Sequence, residues 1–235
     1  MPSKLIVALL ATALTTPASP QFGTILQGLG IGNKQSETKV ASGLKEALRI
    51  GTDNAVNRAG TTDGFFKNLI IKILLPEKIR KVEKALRMVG FGSKLDEFEL
   101  SMNRAAEKAA PAARSIFKDA LREMTFTDAR KIFTGGDTAA TEYFKAKTAH
   151  KLKTTFTPIV ESAMTDTGVV RQYKQLTTAI QRMTFGRVQS EDITDYVVSR
   201  TLDGLFYLLG QEEKKIRTDP LARITPLLKE VFGKR

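Results

Sequence analysis

The chain has 235 residues, one histidine, no cysteine and no tryptophan, with 42% hydrophobic and 26% charged residues and a net charge of +12. That length and balance suit one folded domain and argue against wholesale disorder. The missing cysteines exclude disulfides, thiolate catalysis and cysteine-ligated metal, and the lone His150 leaves no histidine-rich metal site or Ser–His–Asp set; any bound metal would be a hard cation on carboxylates.

The N-terminus reads as a secretory signal. Met1–Lys4 carry one positive charge, Leu5–Leu14 form a largely apolar run, and Thr15-Thr16-Pro17-Ala18 supply small residues and a helix breaker. That order predicts cleavage near Ala18 and an exported protein, periplasmic or extracellular. The run is too short to span a bilayer, and no cysteine follows it to accept a lipid. Removing residues 1–18 takes away only Lys4 and leaves +11 of the +12. Outside the cytoplasm such a charge favours anionic lipid or polymer surfaces over nucleic acid.

Residues 19–35, rich in Gly, Gln and Ser, read as a tether, and residues 36–233 as a single all-α, bundle-like domain. Val40, Leu44, Ala47, Leu48 and Gly51 share one helix face, and Gly60-Thr61-Thr62 ends that helix. Residues 69–75 are apolar and β-branched, the one place for a short strand or hairpin. Pro76 opens a helix with the stripe Ile79, Val82, Leu86 and Val89, ended by Gly90. Leu95, Phe98, Met102, Ala105, Ala106 and Ala109 line the next helix, and Ile116, Phe117, Ala120 and Leu121 the one after Pro111. Thr127 is placed as the cap of a short helix carrying Ala129, Ile132 and Phe133, broken by Gly135-Gly136. A longer helix follows and is expected to stop near Thr157-Pro158, with a short one over 159–164. Val169, Tyr173, Leu176, Ile180 and Met183 line another, a loop covers 185–189, Ser190 caps a helix to Leu209, and Pro220 opens a last helix to Phe232. Asp63-Gly64-Phe65-Phe66 echoes Asp203-Gly204-Leu205-Phe206, but the spacings that follow drift, as in a chance match.

No nucleophile–base–orienter set is visible, so no catalytic residue and no cofactor is assigned. Four groups of polar residues are candidates for ligand binding or buried pairing. Asp203 lies in a segment apolar nearly all round, which predicts burial and a cationic partner, with Arg217 or Arg104 the first choices. It is either a structural ion pair or a functional carboxylate. Gly204 beside it signals a close helix contact. Thr134–Tyr143, with Asp137, Thr138, Glu142 and Tyr143, places two glycines before a helix N-terminus. That arrangement offers either an anion cradle or a helix break capped by Asp137. Asn103, Arg104 and Glu107 can share a helix face, as a cleft lining or a solvated pair. Glu213 and Arg217 are spaced for a structural ion pair. Separately, Lys145, Lys147, Lys151 and Lys153 cluster around an exposed His150 with no acid between them, a candidate contact for an anionic surface.

The stretches GLKEALRIGTDNAV (43–56), IKILLPEKIRKVEKALRMVGFG (71–92), FELSMNRAAEKAAP (98–111), MTFTDARKIFTGGDTAATEYF (124–144) and 192–233 closely resemble the bacterial family of unknown function numbered 4197. The resemblance implies an exported or envelope-associated helical protein and no activity. Family members often look like lipoproteins, and this chain lacks the acceptor cysteine. On the signal sequence, the +11 charge and the poverty of catalytic side chains, the expected function is a non-enzymatic envelope module that binds a partner protein or an anionic ligand. The alternatives are a hard-metal hydrolase using Asp137, Glu142 or Asp203, and a lipid carrier with an apolar cavity.

Overall fold

Apolar side chains recur at helical spacing along nearly the whole of residues 39–219, and each stripe must find another to bury against. The computed structural model describes residues 34–166, 168–183 and 192–219. The expectations for residues 1–33, the loop at 185–189, the Ser190 cap and the helix after Pro220 lie outside them. By compactness the chain divides into residues 1–38 and 39–235, and the contacts below fall within the second.

The helices in chain order are α1 (Lys34–Gly60), two single turns α2 (Glu77–Arg80) and α3 (Glu83–Leu86), α4 (Gly92–Ala109), α5 (Ala113–Glu123), α6 (Phe126–Thr134), α7 (Ala139–Asp166), α8 (Val169–Met183) and α9 (Ile193–Thr218). No strand occurs among the described residues, and the protein is all-α. Helix α7 is the hub, packing against α4, α5, α6, α8 and α9. The expected inward residues of α4, α5 and α6 are all buried. Where α5, α7 and α9 meet, Phe117 sets its edge on Phe144 with ring centroids 5.3 Å apart, and Phe206 lies 6.2 Å from Phe117. Such pairs add about 0.5–1.5 kcal/mol to the burial itself.

Several boundaries differ from the sequence reading, each for a local reason. The cap of α6 is Thr125, not Thr127: its hydroxyl accepts from the Asp128 N–H while the Asp128 carboxylate accepts from the Thr125 N–H. Helix α7 does not stop at Pro158 but runs on to Asp166. Phe156, Val160, Ala163 and Met164 are buried on either side of the proline, and their packing outweighs its penalty of about 3 kcal/mol. Helix α9 is capped by Asp192, whose carboxylate accepts from the N–H groups of Thr194 and Asp195, and continues past Leu209 to Thr218. The stripe of residues 79–89 is broken: Ile79 and Leu86 are buried, but Val89 is exposed on a turn at Gly90, whose φ of +91° suits glycine. The Asp-Gly echo is no structural repeat, since residues 63–66 form a turn and residues 203–206 lie inside α9.

Residues 72–76 carry no regular secondary structure, so the one place open to a strand does not form one. A strand needs a neighbour to satisfy its backbone, and here a side chain takes that place. The Asn103 amide accepts from the Ile73 N–H at 2.8 Å and donates to the Ile73 carbonyl at 2.8 Å. Ile71, Ile73 and Leu75 are thereby held in the core, while Leu69 and Ile70 face solvent at 95% and 67% exposure.

Candidate functional site

Two of the buried carboxylates, Glu213 and Glu107, hold backbone. Glu213 of α9 is the clearest case. Its two oxygens accept from the N–H groups of Ala140 and Thr141 at 2.9 Å each, and from the Thr141 hydroxyl at 2.8 Å. The glycine-flanked N-terminus of α7 is thus an anion site, and its anion comes from the same chain. Arg217 neutralises Glu213 at 2.9 Å and also donates to the Ile132 carbonyl at the end of α6. Asp137, Thr138 and Glu142 are exposed beside this junction and take no part in it. Tyr143 is half-buried, donates to the Ala120 carbonyl, and has its phenol pushed up by burial and by the charges of Asp128 and Glu123.

Glu107 of α4 works the same way. It accepts from the N–H groups of Phe65 and Phe66 at 3.0 and 3.1 Å, and from Arg104 at 2.6 Å. Arg104 also bridges to Asp63 at 2.7 Å, and Asp63 to Lys67 at 2.7 Å. Lys67 first and Arg104 second hold the Asp63 carboxyl below its usual range, and the pair stabilises a residue at φ +67°. Asn103, Arg104 and Glu107 therefore do come together on one face, but they pin residues 63–73 instead of lining an open cleft.

Glu212, next to Glu213, faces α1, accepting from Asn54 at 3.0 Å, Arg58 at 3.2 Å and Lys215 at 2.8 Å. Burial pushes this carboxyl up, but the hydrogen bonds from Lys215 and Asn54 and the charges of Lys215 and Arg58 outweigh it, so its pKa is lowered. A lowered folded pKa contributes stability that is fully present above the unfolded value and lost as pH falls through the folded one. Glu212→Gln is therefore expected to be less stable than the parent at neutral pH. The gap should close as pH falls below the carboxylate range, which urea denaturation over a pH series measures.

Asp203 does not lie in the core, contrary to the sequence expectation. It is neither buried nor paired with Arg217 or Arg104: its side chain is 67% exposed and meets only Arg200, at 3.5 Å, one turn earlier on α9. The neighbours that suggested burial, Gly204, Leu205 and Phe206, turn inward while Asp203 turns out. Asp203→Asn is accordingly expected to change stability by no more than about 0.5 kcal/mol in equilibrium denaturation. The close contact signalled by Gly204 is real, though it is made with residues 65–71 instead of a helix. A Cβ at 204 would lie 2.6 Å from Cε1 of Phe65 and 3.1 Å from Cβ of Ile71.

That close approach seats residues 70–75 beside α9 and leaves a groove of about 620 Å³ between them. Ile70, Leu74, Tyr196 and Tyr207 line it, with Arg80, Arg200 and Asp203. The Tyr196 hydroxyl donates to the Leu74 carbonyl at 2.9 Å, and Arg200 lies 5.4 Å from the centre of the Tyr196 ring. Of the groove residues, Asp203 and Gly204 stand out in the sequence. The others carried only a weak signal: two adjacent apolar residues, Leu69 and Ile70, just ahead of Lys72 and Pro76.

The lysine stretch on α7 is not free of acids once folded. Lys151 meets Asp119 of α5 at 3.4 Å and Lys153 meets Asp195 of α9 at 2.6 Å. Two residues apart on a helix is about 200° of rotation, so these lysines serve different flanks of α7. His150 is exposed, as expected. Among the described residues no three His, Asp or Glu side chains are placed to share a metal ion, and no helix is long and apolar enough to cross a membrane.

A family model described as "Protein of unknown function (DUF4197)" matches residues 34–233. The chain belongs to that family. No curated protein and no solved structure shows significant similarity to it. Nearly all of the family's matched span is described here, so the Glu107 and Glu213 junctions and the groove along α9 all lie in the DUF4197 region.

Proposed function

We propose that this protein is an exported envelope protein that works by binding, and that the groove along α9 receives a segment of a partner protein. The observation that carries this is the exposure of Ile70, Leu74 and Tyr207, three large side chains that line the same groove. Tyr196, Tyr207, Arg80 and Arg200 are residue types enriched at interfaces, and they stand here beside the charged Lys72, Glu77 and Asp203. Export rests on the N-terminal order of charge, apolar run and small residues. The void lined by Leu44, Ala47, Leu48 and Ile216 is only about 10 Å³, room for no more than about one water, and lends nothing to a lipid-carrier reading.

Photo-crosslinking residues placed at Ile70 or Tyr207 in the native cell should trap one discrete protein, whereas a crosslinker at the exposed Thr154 on α7 should not. Leu74→Asp should abolish the adduct. Equal adducts from all three positions, or none from the groove, would overturn the reading. N-terminal sequencing tests export separately: a chain beginning near Ser19 in the envelope fraction supports it, and full-length protein confined to the cytosol refutes it.

A further inference from the structure

A second surface, sharing no lining residue with the groove along α9, combines apolar exposure with cations that make no ion pair among the described residues. The turn after α3 projects Met88 and Val89 at 74% and 59% exposure. Phe91, three residues on, lines a shallow hollow of about 320 Å³ together with Arg171, Lys174, Gln175, Thr178 and Arg182 of α8.

The α8 residues form one stripe. Positions 171, 174, 178 and 182 recur at helical spacing, opposite the buried Leu176 and Ile180. Helix α8 carries no acidic residue. Among the described residues, Arg171, Lys174 and Arg182 make no ion pair, and neither does Lys84 on α3. Lys94 meets only the Gln175 amide, at 3.4 Å, and the Phe91 ring, 5.2 Å from its centre. The nearby carboxylates Glu83 and Asp96 are both engaged by Arg87, at 2.9 and 2.7 Å. Glu97 reaches α8 through the Gln172 amide, at 3.1 Å, and no carboxylate is ion-paired to the stripe among the described residues.

We propose that the Met88–Val89 turn and the Arg171–Lys174–Arg182 stripe form one docking face for an anionic phospholipid bilayer. The stripe supplies attraction to the headgroups from each cation near the surface. The turn supplies the short apolar insertion that makes contact with the acyl boundary favourable. A soluble polyanion would satisfy the cations and leave Met88 and Val89 in water. The apolar turn beside the cations is what selects a bilayer. This face shares no residue with the groove along α9, so the two proposals stand or fall separately.

The chain lacks tryptophan, so a single introduced indole reports its own surroundings. Met88→Trp is mixed with vesicles of phosphatidylcholine containing phosphatidylglycerol. All variants are made in the full chain, so residues 5–14 contribute equally throughout. Its emission should shift to the blue on these vesicles, while that of Tyr207→Trp should stay unchanged. Reversing the stripe (Arg171→Glu, Lys174→Glu, Arg182→Glu) should weaken vesicle binding about tenfold or more, and added salt should weaken the parent. The proposal is overturned if Met88→Trp keeps its aqueous emission while bound, if the reversed stripe binds as the parent does, or if Tyr207→Trp shifts instead. All of these side chains are exposed, and an unchanged circular dichroism melt confirms that the variants fold.

Discussion

Glu213→Ala is expected to destabilise the protein by about 3–5 kcal/mol, because it removes the buried carboxylate that the Arg217 guanidinium meets at 2.9 Å. Arg217 and Glu213 are only 6% and 3% exposed, so water cannot take over the lost contacts. The same change strips the acceptor from the Ala140 and Thr141 N–H groups at the start of α7, the helix on which the fold is centred. Each buried donor left unpaired costs about 1–3 kcal/mol. Typical domains have about 5–15 kcal/mol in all, so this variant should unfold at a much lower urea concentration. The double change Glu213→Leu with Arg217→Met removes the Arg217 charge as well and should recover part of the loss. The remainder measures what Glu213 contributes as the cap of α7. A Glu213→Ala variant as stable as its parent would show that the junction of α6, α7 and α9 is held by packing alone.

Glu107→Ala is expected to cost about 2–4 kcal/mol. It frees the Phe65 and Phe66 N–H groups and leaves Arg104 with Asp63 alone. The effect should be smaller than at Glu213, because Arg104 is partly exposed and water can solvate it. It should also be local. Residues 63–75 are anchored by Glu107 and Asn103 instead of by a ladder of their own, so their amides should lose hydrogen-exchange protection before those of α7 do. Phe65 and Ile71 seat against Gly204, and Ile71 and Gly204 line the groove. Partner crosslinking from Ile70 should therefore fall in Glu107→Ala even under conditions where the protein remains folded. Uniform loss of protection across the whole chain would instead mean that the turn and the helices unfold as one unit.

The asymmetry between what could be read and what could not has a simple cause. Helical periodicity is a local property, so the apolar stripes of α4, α5 and α6 were legible from spacing alone, and their residues are the buried ones. Capping is nearly local, and the error at α6 was a choice between two threonines two residues apart. Pro158 and Val89 went the other way because burial of distant partners decides whether a proline is tolerated or a stripe continues. The polar residues show the limit most sharply. Glu213 and Arg217 were recognisable as a pair by their spacing, but nothing in the sequence ties Glu213 to Ala140, 73 residues earlier. Asp203 looked buried because its neighbours are apolar, yet one position of rotation on a helix separates the core from solvent.

The sequence by itself determined that this protein is helical, which stripes face inward, and that it carries an excess of positive charge. Only the tertiary structure decided which carboxylates are consumed in holding backbone and which side chains are left to meet a partner. The reason is physical: a hydrogen-bonding group is satisfied by whatever folding brings within about 3 Å, and that proximity is not written in sequence distance.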